Sequence, residues 1–320
     1  MTFMTTAVST IGHALPATHA NRLLILIYHR VRELPDALFP LETCARRFDW
    51  QMGLLRRHCS PISLGEGVRR LSTGTLPARA VAVTFDDGYA DNAYVALPIL
   101  QRHRIAATFF VSTGFLDGGR MWNDTVVEAV RRATGNRLDL RGIGLGVESL
   151  GDAAARGALA QRVLRSLKHQ HPSERLEKAE AIRKLVGARL PDDLMMTSAD
   201  VRHLAEAGME VGAHTVSHPI LLALNRAEAE AEIRGSRVRL EQIIGGPVTS
   251  FAYPNGRPCE DYSRRDRDLV ESLGFGYAVS TTLGVASSQS DRYQLPRFGA
   301  WDRDPERWLA RLLLAFRRAR

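Results

Sequence analysis

Short apolar runs recur along the chain, each about five to seven residues long and each followed by polar residues or glycine. Leu23–Tyr28, Val81–Phe85, Ile105–Val111, Met209–Ala213, Val248–Ala252, Gly276–Ser280 and Tyr293–Phe298 read as buried strands. Between them the apolar period lengthens to that of helices. Phe48, Met52, Leu54 and Leu55 mark one over 42–57, and Asn92–Arg104 a second, kinked or ended at Pro98. Thr197-Ser198-Ala199-Asp200 has the form of a capping box opening a helix that stops at Gly208. Arg226–Ile244 ends at Gly245-Gly246, Asp266–Leu273 is helical, and an arginine-rich amphipathic helix runs from Pro305 to the end. Strands alternating with helices predict a parallel sheet, open or closed into a β/α barrel.

Residues 116–196 break this rhythm. Glycines and charges fill 135–152, and helical stretches follow near 153–169 and 173–188. The segment reads as a mostly helical insertion on one domain spanning 21–320, with 1–20 a loose tail. Trp122 and Asn123 open the insertion, where they either face the site or pack at a helix start.

The chain has 320 residues, 45% hydrophobic and 24% charged, as in ordinary globular proteins. Its net charge of +8 is spread along the chain without a basic stripe or interleaved aromatics, which argues against a nucleic-acid partner. Cys44, Cys59 and Cys259 form neither a CxxC pair nor an even set, so no disulfide framework is expected. No leader pattern and no membrane-length apolar run is evident, and a cytoplasmic protein is the expectation. The C-terminal basic helix could touch anionic lipid, although packing against the body of the protein is the expected role.

The chemistry gathers at strand ends. Val81–Phe85 stops at Asp86-Asp87-Gly88, and adjacent anions there need a metal, a cation or a proton to offset them. His29 follows the first strand, His214 the fourth, and Tyr253-Pro254-Asn255 the fifth. In a β/α barrel these ends converge on one rim, where active sites lie. His214-Thr215-Val216-Ser217-His218 is a histidine pair that follows a strand rather than sitting on a helix. Two histidines and a carboxylate would make a three-ligand metal site with a position left for water. The internal glutamate of the helical metalloprotease motif is absent.

Thr84-Phe85-Asp86-Asp87-Gly88 and His214-Thr215-Val216-Ser217-His218 resemble the first two motifs of the polysaccharide deacetylases, the NodB-homology or carbohydrate esterase family 4 domain. Phe251-Ala252-Tyr253-Pro254-Asn255-Gly256 resembles the third in variant form. The resemblance implies a distorted (β/α)7 barrel over about residues 23–300. It also implies removal of acetyl groups from N-acetylated sugars with a divalent metal, zinc foremost, with cobalt, nickel or manganese as alternatives. It would make Asp87, His214 and His218 metal ligands and Asp86 the general base, with Tyr253, Pro254 and Asn255 about the substrate and the Asn255 N–H toward the oxyanion. One adjacent carboxylate would then be neutralised by metal, the other free to take a proton from water.

Two departures stand out. The third motif usually opens with an arginine that orients the base, and Ala252 stands there; Arg297 could supply that charge from another strand. The general acid is usually a histidine near the C-terminus, and none follows His218. Ile27-Tyr28-His29 has the required form at the opposite end, which resembles the circularly permuted exopolysaccharide deacetylases and would make His29 the acid. His203, on the capped helix, is expected at the surface. Two other readings remain beside deacetylation of a hexosamine glycan: a metal-dependent amidase on a small non-sugar C–N bond, and a barrel that binds glycan without cleaving it.

Overall fold

Seven strands pair in parallel until the last meets the first. In the computed structural model, which describes residues 21–299 and 301–318, they are β1 (Arg22–Tyr28), β2 (Ala80–Phe85), β3 (Ala107–Val111), β4 (Glu210–Ala213), β5 (Ser250–Ala252), β6 (Tyr277–Leu283) and β7 (Leu295–Gly299). Each pairs with the next, and β7 returns to β1 with Leu26 beside Phe298 and Ile27 beside Gly299. The distorted (β/α)7 barrel is therefore closed, and the strands that begin and end the chain are neighbours. The expected tail, residues 1–20, lies outside the described residues.

Period-2 alternation explains how each strand buries both faces. On β2, Ala80 and Ala82 join Leu23, Ile25, Ala252 and Val279 in one cluster, whereas Val81, Val83 and Phe85 join another with the surrounding helices. On β2 the small residues face the interior, which larger ones such as Leu23, Ile25 and Phe110 from other strands fill.

Helices α1 (Ala45–His58), α2 (Leu64–Thr73) and α3 (Leu97–His103) follow the first strands. The pattern along the chain had not indicated α2. Its Leu64, Val68 and Leu71 enter the interior cluster, and Ser63 and Gly74 cap its two ends. The Asn92 segment begins as a π-helical turn over Asn92–Ala96. Pro98 then stands in the first turn of α3, where a missing N–H costs nothing, rather than at a kink.

The insertion holds α4 (Trp122–Arg132), a two-stranded hairpin of Arg137–Asp139 and Val147–Ser149, α5 (Ala153–Leu167) and α6 (Pro172–Val186). It has its own apolar cluster, including Val126, Val130, Leu159, Val163 and Ile182. Next come α7 (Ser198–Glu206), opened by the expected capping box at Thr197, then α8 (Arg226–Ile244), α9 (Arg264–Ser272) and α10 (Pro305–Arg318). Trp308, Leu309, Leu312 and Phe316 of α10 are buried in the main cluster, and Trp308 meets Trp50 of α1 edge to face at 5.8 Å. Among the described residues no helix is long and apolar enough to cross a membrane.

Candidate active site

The turn after β2 sends its two carboxylates in different directions. Asp86 continues the inward face of Ala80, Ala82 and Thr84. Asp87 adopts φ 80, a left-handed conformation uncommon outside glycine, and breaks the strand. Gly88 follows at φ 92, and a Cβ there would come within 2.9 Å of Val111. Two adjacent acids thus acquire different neighbours.

Inside the barrel Asp86 meets Arg297 of β7. Nη1 donates to one carboxylate oxygen at 2.7 Å and Nη2 to the other at 2.6 Å, with both side chains buried. Arg297 also donates from Nε to the Ser280 carbonyl at 2.8 Å and from Nη1 to Thr84 at 3.2 Å. A register shift between Leu295 and Arg297 in the β6–β7 pairing accompanies this inward turn. Burial acts to raise the pKa of Asp86, but the Arg297 charge and hydrogen bonds outweigh it and hold the carboxyl below its ordinary value.

Asp87 meets the two histidines. Its Oδ1 lies 3.4 Å from His214 Nε2 and 3.3 Å from His218 Nε2, and the ligating atoms of all three lie within 4.8 Å of one another. His214 Nδ1 is 2.7 Å from the Ala252 carbonyl oxygen. A carbonyl can only accept, so that nitrogen carries the hydrogen and the neutral ring presents the Nε2 lone pair to Asp87. Acceptor facing acceptor repels unless a cation lies between them. This donor set, with the Ala252 carbonyl fixing the orientation of one imidazole, fits a divalent metal of the zinc type. Burial would raise the Asp87 pKa, whereas hydrogen bonds and charge from protonated imidazoles would hold it well below the carboxylate range, so the site calls for positive charge at this point, as protons or as a metal ion.

The His-Thr-Val-Ser-His segment is a turn, not a helix. Thr215 and His218 take φ 65 and 52, and the His218 N–H donates to Thr215 Oγ1 at 3.1 Å. Glu232 of α8 holds the turn from outside, accepting from the N–H groups of Val216 and Ser217, both at 2.8 Å, and from the Ser217 hydroxyl at 2.6 Å. Reading the sequence missed Glu232, which is one of several acids on a charged helix. Only its place 14 residues beyond His218 could have drawn attention to it.

The segment after β5 requires a correction. The Tyr253 side chain, expected near substrate, is fully buried. It stacks on Tyr262 at 3.8 Å and donates its hydroxyl to the Tyr293 carbonyl at 2.9 Å. An aromatic ring next to a proline is more stable sealed in the barrel wall than at a wet rim. Pro254 is buried as well. Asn255 turns at φ 59, its carbonyl accepting from Thr281 Oγ1 at 2.7 Å, while its N–H has no protein acceptor among the described residues. What this loop offers is backbone.

His29 stands exposed at the end of β1, close enough for its charge to lower the pKa values of both Asp86 and Asp87. It lines a cleft of about 400 Å³ with Asp87, and Asn123 opens onto the same space. Trp122 instead packs within the insertion, under the Arg175 guanidinium at 4.7 Å. His203 lies exposed on α7, and Cys44, Cys59 and Cys259 are unpaired.

Known proteins match this chain in sequence and in fold. The family described as polysaccharide deacetylase matches residues 73–146 and 158–278. YxkH of Bacillus subtilis, whose name places it with the polysaccharide deacetylases, is 21% identical over 277 residues, covering 86% of this chain and 70% of its own. Among solved structures, the deacetylase PplD of Streptococcus pyogenes, in complex with acetate, superposes with a TM-score of 0.62 at 20% identity, covering 91% of this chain and 98% of its own. IcaB from Ammonifex degensii gives 0.60 at 19% identity, over 92% and 97% of the two chains. The deacetylase domain of BpsB from Bordetella bronchiseptica gives 0.56 at 18%, over 88% and 96%.

Proposed function

The chain belongs to the polysaccharide deacetylase family, and on that premise we propose that it is a metal-dependent hydrolase removing N-acetyl groups from hexosamine residues of a glycan. The observation that carries this reading is the divergence of Asp86 and Asp87. One is locked to a guanidinium, the other faces two imidazole lone pairs. A binding module has no use for so costly a pair of buried carboxylates held apart in this way.

In this reading Asp87, His214 and His218 hold the cation. A divalent ion there supplies Lewis acidity, lowering the pKa of a water and polarising an acyl oxygen. Asp86, kept ionised and aimed by Arg297, takes the proton from the attacking water. The Asn255 N–H donates to the acyl oxygen as that atom gains charge. His29, facing the cleft, delivers a proton to the departing amine nitrogen, which otherwise leaves poorly. The pairing of β1 with β7 supports this role for His29, which follows β1 early in the chain.

The test is acetate release from N-acetylglucosamine oligomers by the purified protein, with bound metal quantified for wild type, Asp86→Asn and His29→Ala. Acetate from wild type alone, with metal retained in both variants, is the expected result. Metal bound without acetate from any glycan would move the assignment to a small-amide substrate. A protein that takes up no divalent metal would overturn the mechanism.

A further inference from the structure

The insertion reaches the cleft through an acid that the chemistry above leaves unused. Asp124 is the third residue of α4 and is 7% exposed. Five other helices carry an acid at that position. In α7, α8 and α9 it is Asp200, Glu228 and Asp266, and each of these turns back to accept from the backbone N–H of its own cap residue; Glu66 in α2 pairs with Arg69 and Arg70, and Glu174 in α6 is exposed. Asp124 does not turn back in this way. No side chain caps α4 at Met121, and both Asp124 oxygens instead face the Tyr89 hydroxyl at 3.1 and 3.2 Å. One hydroxyl hydrogen leaves most of a carboxylate's roughly four acceptor positions unfilled. Beside it, the Asn123 amide oxygen is shielded from solvent with no protein donor. A buried acceptor without a donor is costly, and here one of them and an underfilled carboxylate adjoin one cavity.

Both residues line the cleft of about 400 Å³ that His29, Asp87 and Trp301 also line, a volume within the usual range of roughly 300–1,000 Å³ for small-ligand sites. Trp301 is 59% exposed, with its indole packed so close to Gly299 that a Cβ there would lie 2.6 Å from the ring. The cleft's cations are already engaged. Arg30 pairs with Asp91 at 2.7 Å and stacks over Tyr89 at 4.5 Å, and Arg32 pairs with Glu42 and Asp36. Apart from His29, which faces the reacting centre, no cation among the described lining residues is free for an anionic group. An exposed aromatic face and underfilled acceptors fit a neutral pyranose, whose hydroxyls donate and whose C–H face stacks.

We propose that the part of this cleft lined by Asp124 and Trp301 is a subsite for the neutral sugar adjoining the one deacetylated, with Asp124 accepting its hydroxyl hydrogens and Trp301 stacking on its ring, while His29 and Asp87 face the sugar that reacts. The inference rests on the glycan reading above and deepens it. It makes the insertion the part of the chain that distinguishes a polymer from a single sugar, because a monosaccharide has no neighbour to place there.

Acetate release is measured from N-acetylglucosamine and from its tetramer for wild type, Asp124→Asn, Asp124→Ala and Trp301→Ala, with bound metal and thermal unfolding followed for each. Asp124→Ala and Trp301→Ala are expected to raise KM for the tetramer about tenfold, the loss of one good contact. In both, kcat should change less than about threefold and kcat/KM for the monomer should hold. Asp124→Asn, which keeps an acceptor, should lose less. Equal losses on monomer and tetramer, or a fall in kcat at constant KM, would overturn the subsite. If wild type cleaves neither sugar, the deacetylation reading fails for these substrates and the cleft is tested alone, by titrating intrinsic fluorescence with the tetramer. A saturable change lost in Trp301→Ala and Asp124→Ala then supports the subsite; no saturable change in wild type overturns it.

Discussion

Arg297 and Asp86 stand 211 positions apart and meet inside the barrel, two guanidinium nitrogens on two carboxylate oxygens at 2.7 and 2.6 Å. Arg297→Met leaves Asp86 buried and unpaired, a change that typically costs about 3–5 kcal/mol. Urea unfolding near neutral pH should show that loss, and Arg297→Lys should recover part of it with a single contact. The Asp86 pKa is depressed in the folded protein, so this stability is present above the unfolded carboxyl's pKa and is lost as pH falls through the folded value. The gap between wild type and Arg297→Met should therefore narrow in acid. An equally stable Met variant at pH 7 would refute the ion pair's contribution.

Metal analysis of the purified protein should find about one divalent ion per chain, little in His214→Ala or His218→Ala, and wild-type content in Asp86→Asn. Glu232→Gln removes no ligand but loosens the turn that carries both histidines. Supporting residues of this kind typically change metal affinity about 10–100-fold, which competition with a chromogenic chelator would read. An unchanged affinity would mean that the turn holds its shape without Glu232.

The Asp124 carboxyl is pushed up to about 7 from 3.8, first by burial and then by the charges of Asp87 and Glu128, against the opposing effects of Arg30 and the Tyr89 hydrogen bond. A raised carboxyl binds more protons folded than unfolded between these values, so its contribution to stability falls as pH rises from about 4 to about 7 and then levels. The full span corresponds to roughly 4 kcal/mol at 1.36 kcal/mol per decade. In metal-free protein Asp124→Asn should flatten this part of the profile, gaining on wild type at pH 8 relative to pH 5. Parallel urea-derived profiles for the two proteins would contradict the burial argument.

Gly157 of α5 lies against the Leu38 carbonyl, 2.3 Å from where a Cβ would be. Gly157→Ala should force the insertion away from the rim, at about 1–3 kcal/mol typical of overpacking, while the metal site keeps its ion. Thermal unfolding and metal content together test this. Loss of metal would show that the insertion supports the ligands themselves.

The strands were legible because a parallel strand buried on both faces leaves an unbroken apolar run at consecutive positions. Asp86-Asp87 and the histidine pair were legible for the same reason: chemistry placed at strand ends is local and dense in the sequence. Helix α2 was not, since its two glycines and the short apolar pattern blur the helical period. The neighbourhood of β1 and β7 follows once a closed barrel is assumed, which let Arg297 and His29 be considered beside the motifs.

Other features needed the folded chain. The inward Tyr253 ring, the Glu232 brace and the free carboxylate face of Asp124 depend on which side of an element meets which neighbour. Linear order by itself determined a parallel α/β chain with two acids and two histidines at strand ends. Only the tertiary structure decided that one acid faces a cation and the other two imidazoles, because a single residue at φ 80 turns them apart and long-range packing supplies their partners.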